Sequence, residues 1–418
     1  MKILFLNQCF YPDVVSTAQH LSDLAFDLSS QGHRVTVIAS RRGYDNREHQ
    51  FSKREHYRGV KISRLFTLNL GKQNRMRRAI NFATVLISYA VRLVFTPRQD
   101  AVVALTSPPL ISFLGALFVK LKGGRFYFWV MDLNPDEAVA AGWLKEESVV
   151  ARMLASMLGY SLRKAERIIV LDRFMQQRVA AKKISRERIL VIPPWSHDHA
   201  VQFDSVGRDS FRAQLGLTGK FIVMYSGNHS PCHPLDTLLR AAEQLKQEKR
   251  IAFCFVGGGS AKAKVERFAT EHGLQNIFSV PYQPLADVSA SLSAADLHVI
   301  VMGDSFVGIV HPCKLYNVLQ VAAPVLYIGP AESHITDLLS QSEAGIEYYA
   351  AQHDDVPAVV RHIQMAASRQ EPNIRELPKV AQQFSASKLL PQITAALTAE
   401  QRAELKPSGA PAVSHLRF

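Results

Sequence analysis

The sequence predicts an α/β protein with two doubly wound, parallel-sheet domains that face each other across a cleft. Three observations lead to this fold class. The chain has 418 residues, a length that suits two or three domains of ordinary size. Short apolar strand candidates alternate with helix-length segments along most of it. Pro193-Pro194 and a polar stretch near residues 195 to 215 interrupt this alternation, which then starts again.

The first half opens with a strand, a helix and a second strand. The strand candidates are residues 2 to 6 and 34 to 39, and the helix between them covers residues 17 to 31 and ends at Gly32. This order is typical of an open parallel sheet. Four further strand candidates lie at residues 101 to 105, 126 to 130, 168 to 171 and 189 to 192.

The second half repeats the pattern. Helices are predicted at residues 235 to 246 and 261 to 272, between strand candidates. These strands lie at residues 221 to 225, 251 to 256, 277 to 280, 297 to 301 and 325 to 328. We therefore expect an N-terminal domain over residues 1–195 and a C-terminal domain over residues 196–380. A last helix, 381–401, should pack back towards the N-terminal domain, and the polar segment 402–418 should be a flexible tail.

Composition excludes several classes of protein. Apolar residues make up 47% of the chain and charged residues 20%, so neither global disorder nor a collagen-like chain is expected. The four cysteines include no CxxC pair, which favours free thiols in a reducing compartment. The apolar run after Met1 is too short for a signal peptide. We expect a cytoplasmic protein.

The positive charge is concentrated in one stretch. Residues 41 to 98 contain fourteen Lys and Arg residues and three acids, so they supply eleven of the thirteen net positive charges. Arg75, Arg77 and Arg78 precede the apolar segment 79 to 95, which falls short of the ~20 residues that span a bilayer. Such a helix can lie on an anionic membrane surface, or it can be fully buried beside a solvated basic loop. No nucleic-acid partner is expected, since RNP, helix-turn-helix and zinc patterns are lacking.

The loop after residues 297 to 301 carries the clearest functional signal. Ligands of open parallel sheets bind beyond the carboxyl ends of the strands. Here Gly303 and Gly308 permit close approach of a ligand, and a helix predicted to begin near Pro312 directs N–H groups towards it. Lys314 adds a positive charge. The segment predicts a diphosphate site; the alternative is an ordinary strand-loop-helix turn with a solvated lysine.

Asp132 follows another apolar strand candidate, residues 126 to 130. A carboxylate at this edge of the sheet can orient or deprotonate an acceptor hydroxyl. The alternative is an N-cap or turn aspartate that stabilises Asn134-Pro135. Asp136 and Glu137 are interpreted as acids of the first helical turn, where the helix dipole favours them.

Glycines and histidines of the second half give weaker signals. The turn Gly257-Gly258-Gly259 lacks the GxGxxG spacing and is expected to approach the ligand closely. His229 and His233 flank Cys232, but without a second ligand pair at suitable spacing no metal site is predicted. For His311 two interpretations stay open: it contacts the sugar or phosphate of a ligand, or it is an ordinary loop histidine.

Taken together, the motifs resemble those of retaining GT-B glycosyltransferases of family 4, particularly the exopolysaccharide or colanic-acid-type branch. That branch carries Pro-Ser-Lys where this chain has Pro312-Cys313-Lys314. The resemblance extends over roughly residues 1 to 395, and the specific signal is the order of the motifs. The other matching segments are Phe10-Tyr11-Pro12, Gly32-His33-Arg34-Val35-Thr36-Val37, residues 129 to 136, Val191-Ile192-Pro193-Pro194-Trp195, Tyr225-Ser226-Gly227-Asn228 and Phe255-Val256-Gly257-Gly258-Gly259.

The resemblance implies two Rossmann-like domains, a nucleoside diphosphate sugar donor held mainly by the second, and an acceptor held mainly by the first. It implies no obligatory metal and no cofactor. Asp132 and Lys314 are then the catalytic candidates. The candidates for donor binding are Gly227, Asn228, His233, Gly258, Gly308, Ile309, Val310 and Asn317.

Two departures from the family pattern affect the donor site. Many members carry a Glu-x7-Glu signature, whose positions are Ile309 and Asn317 here. The Asn317 amide can hydrogen-bond a ribose hydroxyl, whereas Ile309 offers only its backbone. Many members also hold the diphosphate with an Arg and a Lys, whose positions are Asn228 and His233 here. Lys314 is left as the obvious cation.

The function that this resemblance implies is transfer of a sugar from a nucleoside diphosphate to a polyprenyl-diphosphate-linked or saccharide acceptor in surface polysaccharide or glycolipid assembly. The enzyme should be cytoplasmic and peripheral on the inner face of the plasma membrane. Two alternatives stay open: a GT-B sugar-nucleotide epimerase or hydrolase, and a non-catalytic sugar-nucleotide-binding scaffold.

Overall fold

A computed structural model describes residues 1–13, 15–43, 50–68, 75–196, 201–341, 345–369 and 377–398. The segment 402–418 and residues 399–401 lie outside this part, as do the side chains of Arg75 and Arg78. The described chain forms two mainly parallel sheets, one on each side of the boundary predicted at residues 195 and 196.

The first sheet has eight strands in the described residues, in the order β3-β4-β2-β1-β5-β6-β7-β8. Only β3 among them is antiparallel to its neighbour. Helices cover both faces, so the inner strands are apolar on both sides; every residue of β5 is buried. The strands are β1 (Lys2–Leu6), β2 (Arg34–Ser40), β3 (Arg54–Tyr57), β4 (Val60–Leu65), β5 (Ala101–Ala104), β6 (Arg125–Trp129), β7 (Arg167–Val170) and β8 (Ile189–Val191).

The second sheet has six parallel strands in the described residues, in the order β11-β10-β9-β12-β13-β14. In both sheets the chain reverses its direction of winding at the first strand, β1 or β9. Such a switch point opens a crevice beyond the carboxyl ends of the strands. The strands are β9 (Phe221–Ser226), β10 (Ile251–Val256), β11 (Ile277–Val280), β12 (Leu297–Val301), β13 (Val325–Ile328) and β14 (Tyr348–Ala351).

The helices connect successive strands and pack on the two faces of each sheet. Those of the first half are α1 (Ser16–Ser30), α2 (Arg75–Val94), α3 (Ile111–Lys122), α4 (Asp136–Ala140), α5 (Val149–Lys164) and α6 (Arg173–Ala181). Those of the second half are α7 (Ser205–Gln214), α8 (Asp236–Gln244), α9 (Lys262–Glu271), α10 (Val288–Ser293), α11 (Lys314–Gln320), α12 (His334–Leu339), α13 (Val356–Ser368) and α14 (Ala386–Thr398).

The predicted strands are all present, and three strands were missed. Two of these, β3 and β4, lie in the basic stretch, and the third is β14. The sequence of β3 is Arg-Glu-His-Tyr, which has no apolar run because this edge strand is largely exposed. The other missed edge strand is β14, at the edge of the second sheet, and it alternates exposed and buried residues over only four positions. Edge strands such as these give a weak apolar signal.

The last described helix, α14, packs on the first domain. Leu389, Ile393 and Leu397 of α14 belong to the hydrophobic core around the first sheet. The Thr394 hydroxyl donates to the Asp27 carboxylate of α1 at 3.0 Å. The chain therefore returns to its first domain after completing the second.

Helix α2 has one buried and one exposed apolar face. Val85, Tyr89 and Leu93 face inward, and the Tyr89 hydroxyl donates to the carbonyl of Asn7 at 2.8 Å. The interpretation of a fully buried helix is therefore wrong, because Ile87 is 60% exposed. No helix in the described segments is both long and apolar enough to cross a bilayer.

Candidate active site

A cavity of about 370 Å³ lies between the two domains, where loops that follow the strands of both sheets meet. Its lining combines polar side chains from both halves of the chain. The first domain contributes Cys9, Val15, Ser16, Thr17, Gln19, His20, Ser107, Asp132 and Trp195. The second contributes Gly227, Asn228, His233, Tyr282, His311, Pro312, Cys313, Lys314 and Asn317.

Lys314 starts α11 at the edge of this cavity. Its Nζ atom is buried and has no hydrogen-bond partner among the described residues. The ammonium lies over the Tyr225 ring, 3.7 Å from its centroid, where the π face attracts a cation. Burial lowers the pKa of Lys314 to about 7. The site therefore holds a desolvated cation with unused donors, which suits an anionic ligand.

Gly227 gives that cation room. A Cβ atom at this position would lie 3.2 Å from Cε and 3.3 Å from Nζ of Lys314, and its φ of +140° also favours glycine. Gly257 has a similar role one strand away, since its Cβ would collide with the Gly227 carbonyl. The two glycine turns after β9 and β10 therefore pack backbone against backbone beside Lys314.

Asp132 lines the cavity from the first domain, three residues after the end of β6. It is not the N-cap of α4, because Pro135 occupies that position. Burial, and then the charge of Glu137, raise the pKa of the Asp132 carboxyl to about 7. A carboxylate with a pKa in this range can both accept and release a proton near neutrality.

Glu137 belongs to the first turn of α4, as predicted, and so does Asp136. Asp136 forms an ion pair of 2.7 Å with Lys182. Glu137 accepts hydrogen bonds from the amide of Asn134 and from the thiol of Cys232 in the second domain. Burial raises the pKa of Glu137 as well. These contacts place Glu137 between the two domains.

His233 lines the cavity but cannot act as a cation there. Its Nδ1 atom lies 2.8 Å from the Val301 carbonyl, which can only accept, so Nδ1 carries the hydrogen. Burial keeps the pKa of His233 well below its usual value, so the ring is neutral and Nε2 is an acceptor. A hydroxyl of a sugar suits this atom, and a phosphate oxygen does not.

Asn228 and Asn317 also line the cavity, whereas Gly258, Gly308, Ile309 and Val310 do not. Gly258 lies beside the Tyr282 ring, where a Cβ atom would come within 2.8 Å of it. Its carbonyl accepts a hydrogen bond from the His229 backbone. Gly258 therefore shapes the wall behind Tyr282.

Gly308, Ile309 and Val310 were predicted to bind the donor, but their backbone groups are engaged within the protein. The N–H groups of Ile309 and Val310 both donate to the Phe306 carbonyl, at 2.9 and 3.2 Å. They are therefore already paired. Gly308 has a φ of +70° and lies against the backbone of Phe174 in α6, so its smallness serves contact between the domains.

Asp172, His311 and His334 form a buried cluster at the junction of the domains. The rings of His311 and His334 are stacked, 3.8 Å between centroids and 22° between planes. Nitrogen lone pairs lie in the plane of each ring, so stacked rings cannot direct them at one ion. His311 also uses both nitrogens, on the Asp172 carboxylate and the Tyr316 hydroxyl. This geometry does not fit a metal.

Sequence reasoning missed the part of the cavity that α1 and the β11 loop supply. Ser16, Thr17 and Gln19 come from the first turn of α1, and Tyr282 comes from the loop after β11. Their position in the segments that follow β1 and β11 was the available signal. Ser, Thr, Gln and Tyr are too common in loops to be singled out by type.

Two family models match the chain. One, Glycosyl transferase 4-like domain, matches residues 17–195, and the other, Glycosyl transferases group 1, matches residues 207–311. Together they cover more than half of the sequence. The curated protein "Putative colanic acid biosynthesis glycosyl transferase WcaI" of Escherichia coli is 26% identical over 357 residues, which are 81% of this chain and 86% of that protein.

Solved structures are similar over almost the whole chain. Sucrose-phosphate synthase from Thermosynechococcus elongatus has a TM-score of 0.72 at 15% identity, with 96% of this chain and 100% of that one covered. HepE of Anabaena, solved with UDP and glucose, has a TM-score of 0.68 with the same identity and coverage. At this identity the likeness concerns the fold. With the two family matches, it shows that the chain belongs to the group 1 glycosyltransferases of family 4 and has their GT-B fold.

Proposed function

We propose that the protein is a retaining glycosyltransferase that transfers a hexose-type sugar from a nucleoside diphosphate sugar to a polyprenyl-diphosphate-linked acceptor. The process would be surface polysaccharide or glycolipid assembly, the class that the name of the Escherichia coli relative indicates. The observation that carries the proposal is the unpaired, buried Nζ of Lys314 in the cavity between the domains.

Lys314 is proposed to stabilise the leaving group. When the bond between sugar and diphosphate breaks, negative charge develops on the departing diphosphate. A desolvated ammonium already in place stabilises that charge more than water does. Gly227 leaves space for the phosphates next to Nζ. Asn228 and Asn317 would hydrogen-bond the donor, and the neutral His233 would accept from a sugar hydroxyl.

Asp132 is proposed to orient and deprotonate the acceptor hydroxyl. It faces the cavity from the first domain, and its raised pKa makes it a competent base near neutrality. In the mechanism that we propose, retention results from attack by the acceptor on the face that the diphosphate leaves. The acceptor would therefore enter between Asp132 and the diphosphate, and closure of the domains around both substrates would exclude water.

The exposed face of α2 supports a lipid-linked acceptor. We define the α2 patch as Phe66, Ile87, Val91, Val94, Phe95 and Leu121, all more than half exposed. Hydrogen bonds from Ser88 to the Phe66 carbonyl and from Lys122 to the Val94 carbonyl hold the patch together. Two basic side chains, Arg77 of α2 and Lys120 of α3, are also exposed on the helices that carry most of the patch. An apolar face with basic neighbours suits the anionic inner surface of the plasma membrane.

The test is donor turnover by the full chain with UDP, GDP, ADP and dTDP sugars, with and without a polyprenyl-diphosphate-linked hexose. Transfer of sugar to the lipid, unchanged by EDTA, is the expected result. Conversion or hydrolysis of the donor without acceptor would favour the epimerase or hydrolase alternative. Binding without any turnover would favour the scaffold. A requirement for a divalent ion would refute the metal-independent mechanism.

A further inference from the structure

The loop before Lys314, residues 303 to 313, is held largely by the first domain. We call it the donor loop. The Arg178 guanidinium of α6 donates through Nε to the Val307 carbonyl at 2.6 Å. The Leu133 backbone N–H donates to the Ile309 carbonyl at 2.8 Å. Between these two contacts Gly308 lies against the backbone of Phe174, where a Cβ atom would come within 2.7 Å.

A further hydrogen bond from the first domain reaches His311, close to Lys314. Asp172, the N-cap of α6, accepts from Met175 N through Oδ1 and from His311 Nδ1 through Oδ2, at 2.8 and 2.7 Å. Because the carboxylate only accepts, it fixes the hydrogen of His311 on Nδ1. His311 Nε2 then accepts from the Tyr316 hydroxyl of α11 at 2.7 Å.

These contacts form a chain from α6 to Lys314. Asp172 and His311 are both buried, so their hydrogen bond is shielded from water. Pro312 limits the backbone between His311 and Cys313, and Tyr316 lies half a turn beyond Lys314 on α11. A displacement of His311 therefore displaces the start of α11, from which the Lys314 side chain projects over Tyr225.

We propose that Asp172 and Arg178 of the first domain are positioning residues for the diphosphate site of the second. They set the donor loop, and through it Lys314, only when the domains are together, so closure completes the donor site. This inference rests on the proposed function. It adds that the domain assigned to the acceptor also determines affinity for the donor diphosphate.

The test compares four variants of the full chain. Asp172→Asn keeps an N-cap oxygen for Met175 but loses the charge that orients His311. Arg178→Ala removes the bond to Val307, and Arg178→Lys restores a donor there. Arg173→Ala is the matched control, because Arg173 forms a half-exposed ion pair with Asp337 across the same junction, and exposed pairs contribute little. UDP, GDP, ADP and dTDP are the probes, each compared with its own nucleoside.

Asp172→Asn and Arg178→Ala should each lower the affinity for the nucleoside diphosphate that the wild type binds by roughly tenfold. Small displacements of groups in preorganised sites have effects of this size. The nucleoside alone, which lacks the groups that Lys314 binds, should bind as before. Arg178→Lys should recover most of the affinity and Arg173→Ala should keep all of it. If Asp172 and Arg178 only stabilised the fold, the variants would instead bind both the nucleoside and the diphosphate more weakly, and their melting temperature would fall.

The outcomes separate the two proposals. If the wild type binds none of the four diphosphates, the proposed function fails and this inference fails with it. If the wild type binds one and Asp172→Asn and Arg178→Ala bind it equally well, the inference is wrong and the proposed function is unaffected. Equal loss of nucleoside and diphosphate affinity would also overturn the inference.

Discussion

The ammonium of Lys314 lies 3.7 Å from the centre of the Tyr225 ring, and no carboxylate among the described residues pairs with it. A lysine at an ordinary surface would be hydrated and fully charged at neutral pH. Here burial lowers its pKa to about 7, so its protonation near neutral pH responds to the charge of a bound ligand. The Lys314 ammonium is therefore already desolvated in the free protein, and binding of a ligand does not have to remove water from it.

Donor binding should therefore take up a proton at Lys314. The two negative charges of a nucleoside diphosphate sugar raise the pKa of the ammonium in the complex above its value of about 7 in the free protein. Affinity should be full below pH 7 and fall as the pH rises above it. Calorimetry in buffers of different ionisation enthalpy measures the proton uptake directly.

Lys314→Met serves as the matched variant, because it keeps the length and burial of the side chain without its charge. It should lose the proton uptake, and turnover should fall roughly 30- to 900-fold, which corresponds to lost stabilisation of about 2 to 4 kcal/mol. Unchanged proton uptake in this variant would show that another group titrates. Near-normal turnover by Lys314→Met would refute the assignment of the donor site to the cavity around Lys314.

Asp132→Asn should lower transfer by about a hundredfold or more, since a positioned general base contributes at least that much. Donor affinity should stay the same because the donor is assigned to the second domain. In the wild type the carboxylate is the active form, and its pKa is raised to about 7 in the free protein, so transfer at saturating donor should increase with pH from neutrality upwards. Steady-state kinetics against pH measures both effects.

Asp136→Asn is the control for that variant. It removes the nearby ion pair with Lys182 and leaves the cavity unchanged. Its kcat and its pH profile should match those of the wild type. A similar loss in both variants would mean that the local fold of α4, and not the Asp132 carboxylate, is what transfer requires.

The α2 patch should bind anionic vesicles. Ile87→Asp combined with Val91→Asp places two charges at the centre of the exposed face, which opposes both apolar burial and attraction to anionic lipid. Replacement of Arg75, Arg77 and Arg78 by Glu should have the same effect, at about 1 kcal/mol for each basic residue removed near anionic lipid. Co-sedimentation with vesicles of anionic phospholipid measures the binding, and donor binding should be unaffected.

Val206→Asp provides the comparison, because Val206 is 80% exposed on α7 of the second domain. It should sediment with vesicles like the wild type. High salt should weaken wild-type binding, since charges separated by more than about 8 Å are screened at physiological ionic strength. If the wild-type protein does not bind anionic vesicles, α2 no longer supports the proposal of a lipid-linked acceptor.

Sequence reasoning predicted the fold well because buried parallel strands carry continuous apolar runs. Residues 297 to 301 and 325 to 328 were predicted with the bounds that β12 and β13 have. Asp132 and Lys314 were found because each follows such a strand, and both line the cavity. The role of His233 was not predictable, because it depends on the Val301 carbonyl that fixes its tautomer. The pairing of Ile309 and Val310 with Phe306 likewise depends on how the loop turns.

The return of α14 to the first domain has a consequence for how the protein is made. Domains commonly fold as units during synthesis, the N-terminal one first. Here Leu389, Ile393 and Leu397 complete the core around the first sheet, but the ribosome adds them only after every strand of both sheets. Their sites on α1 therefore stay uncovered while the second domain is being translated. The first domain can therefore complete its hydrophobic core only after the second domain has been translated.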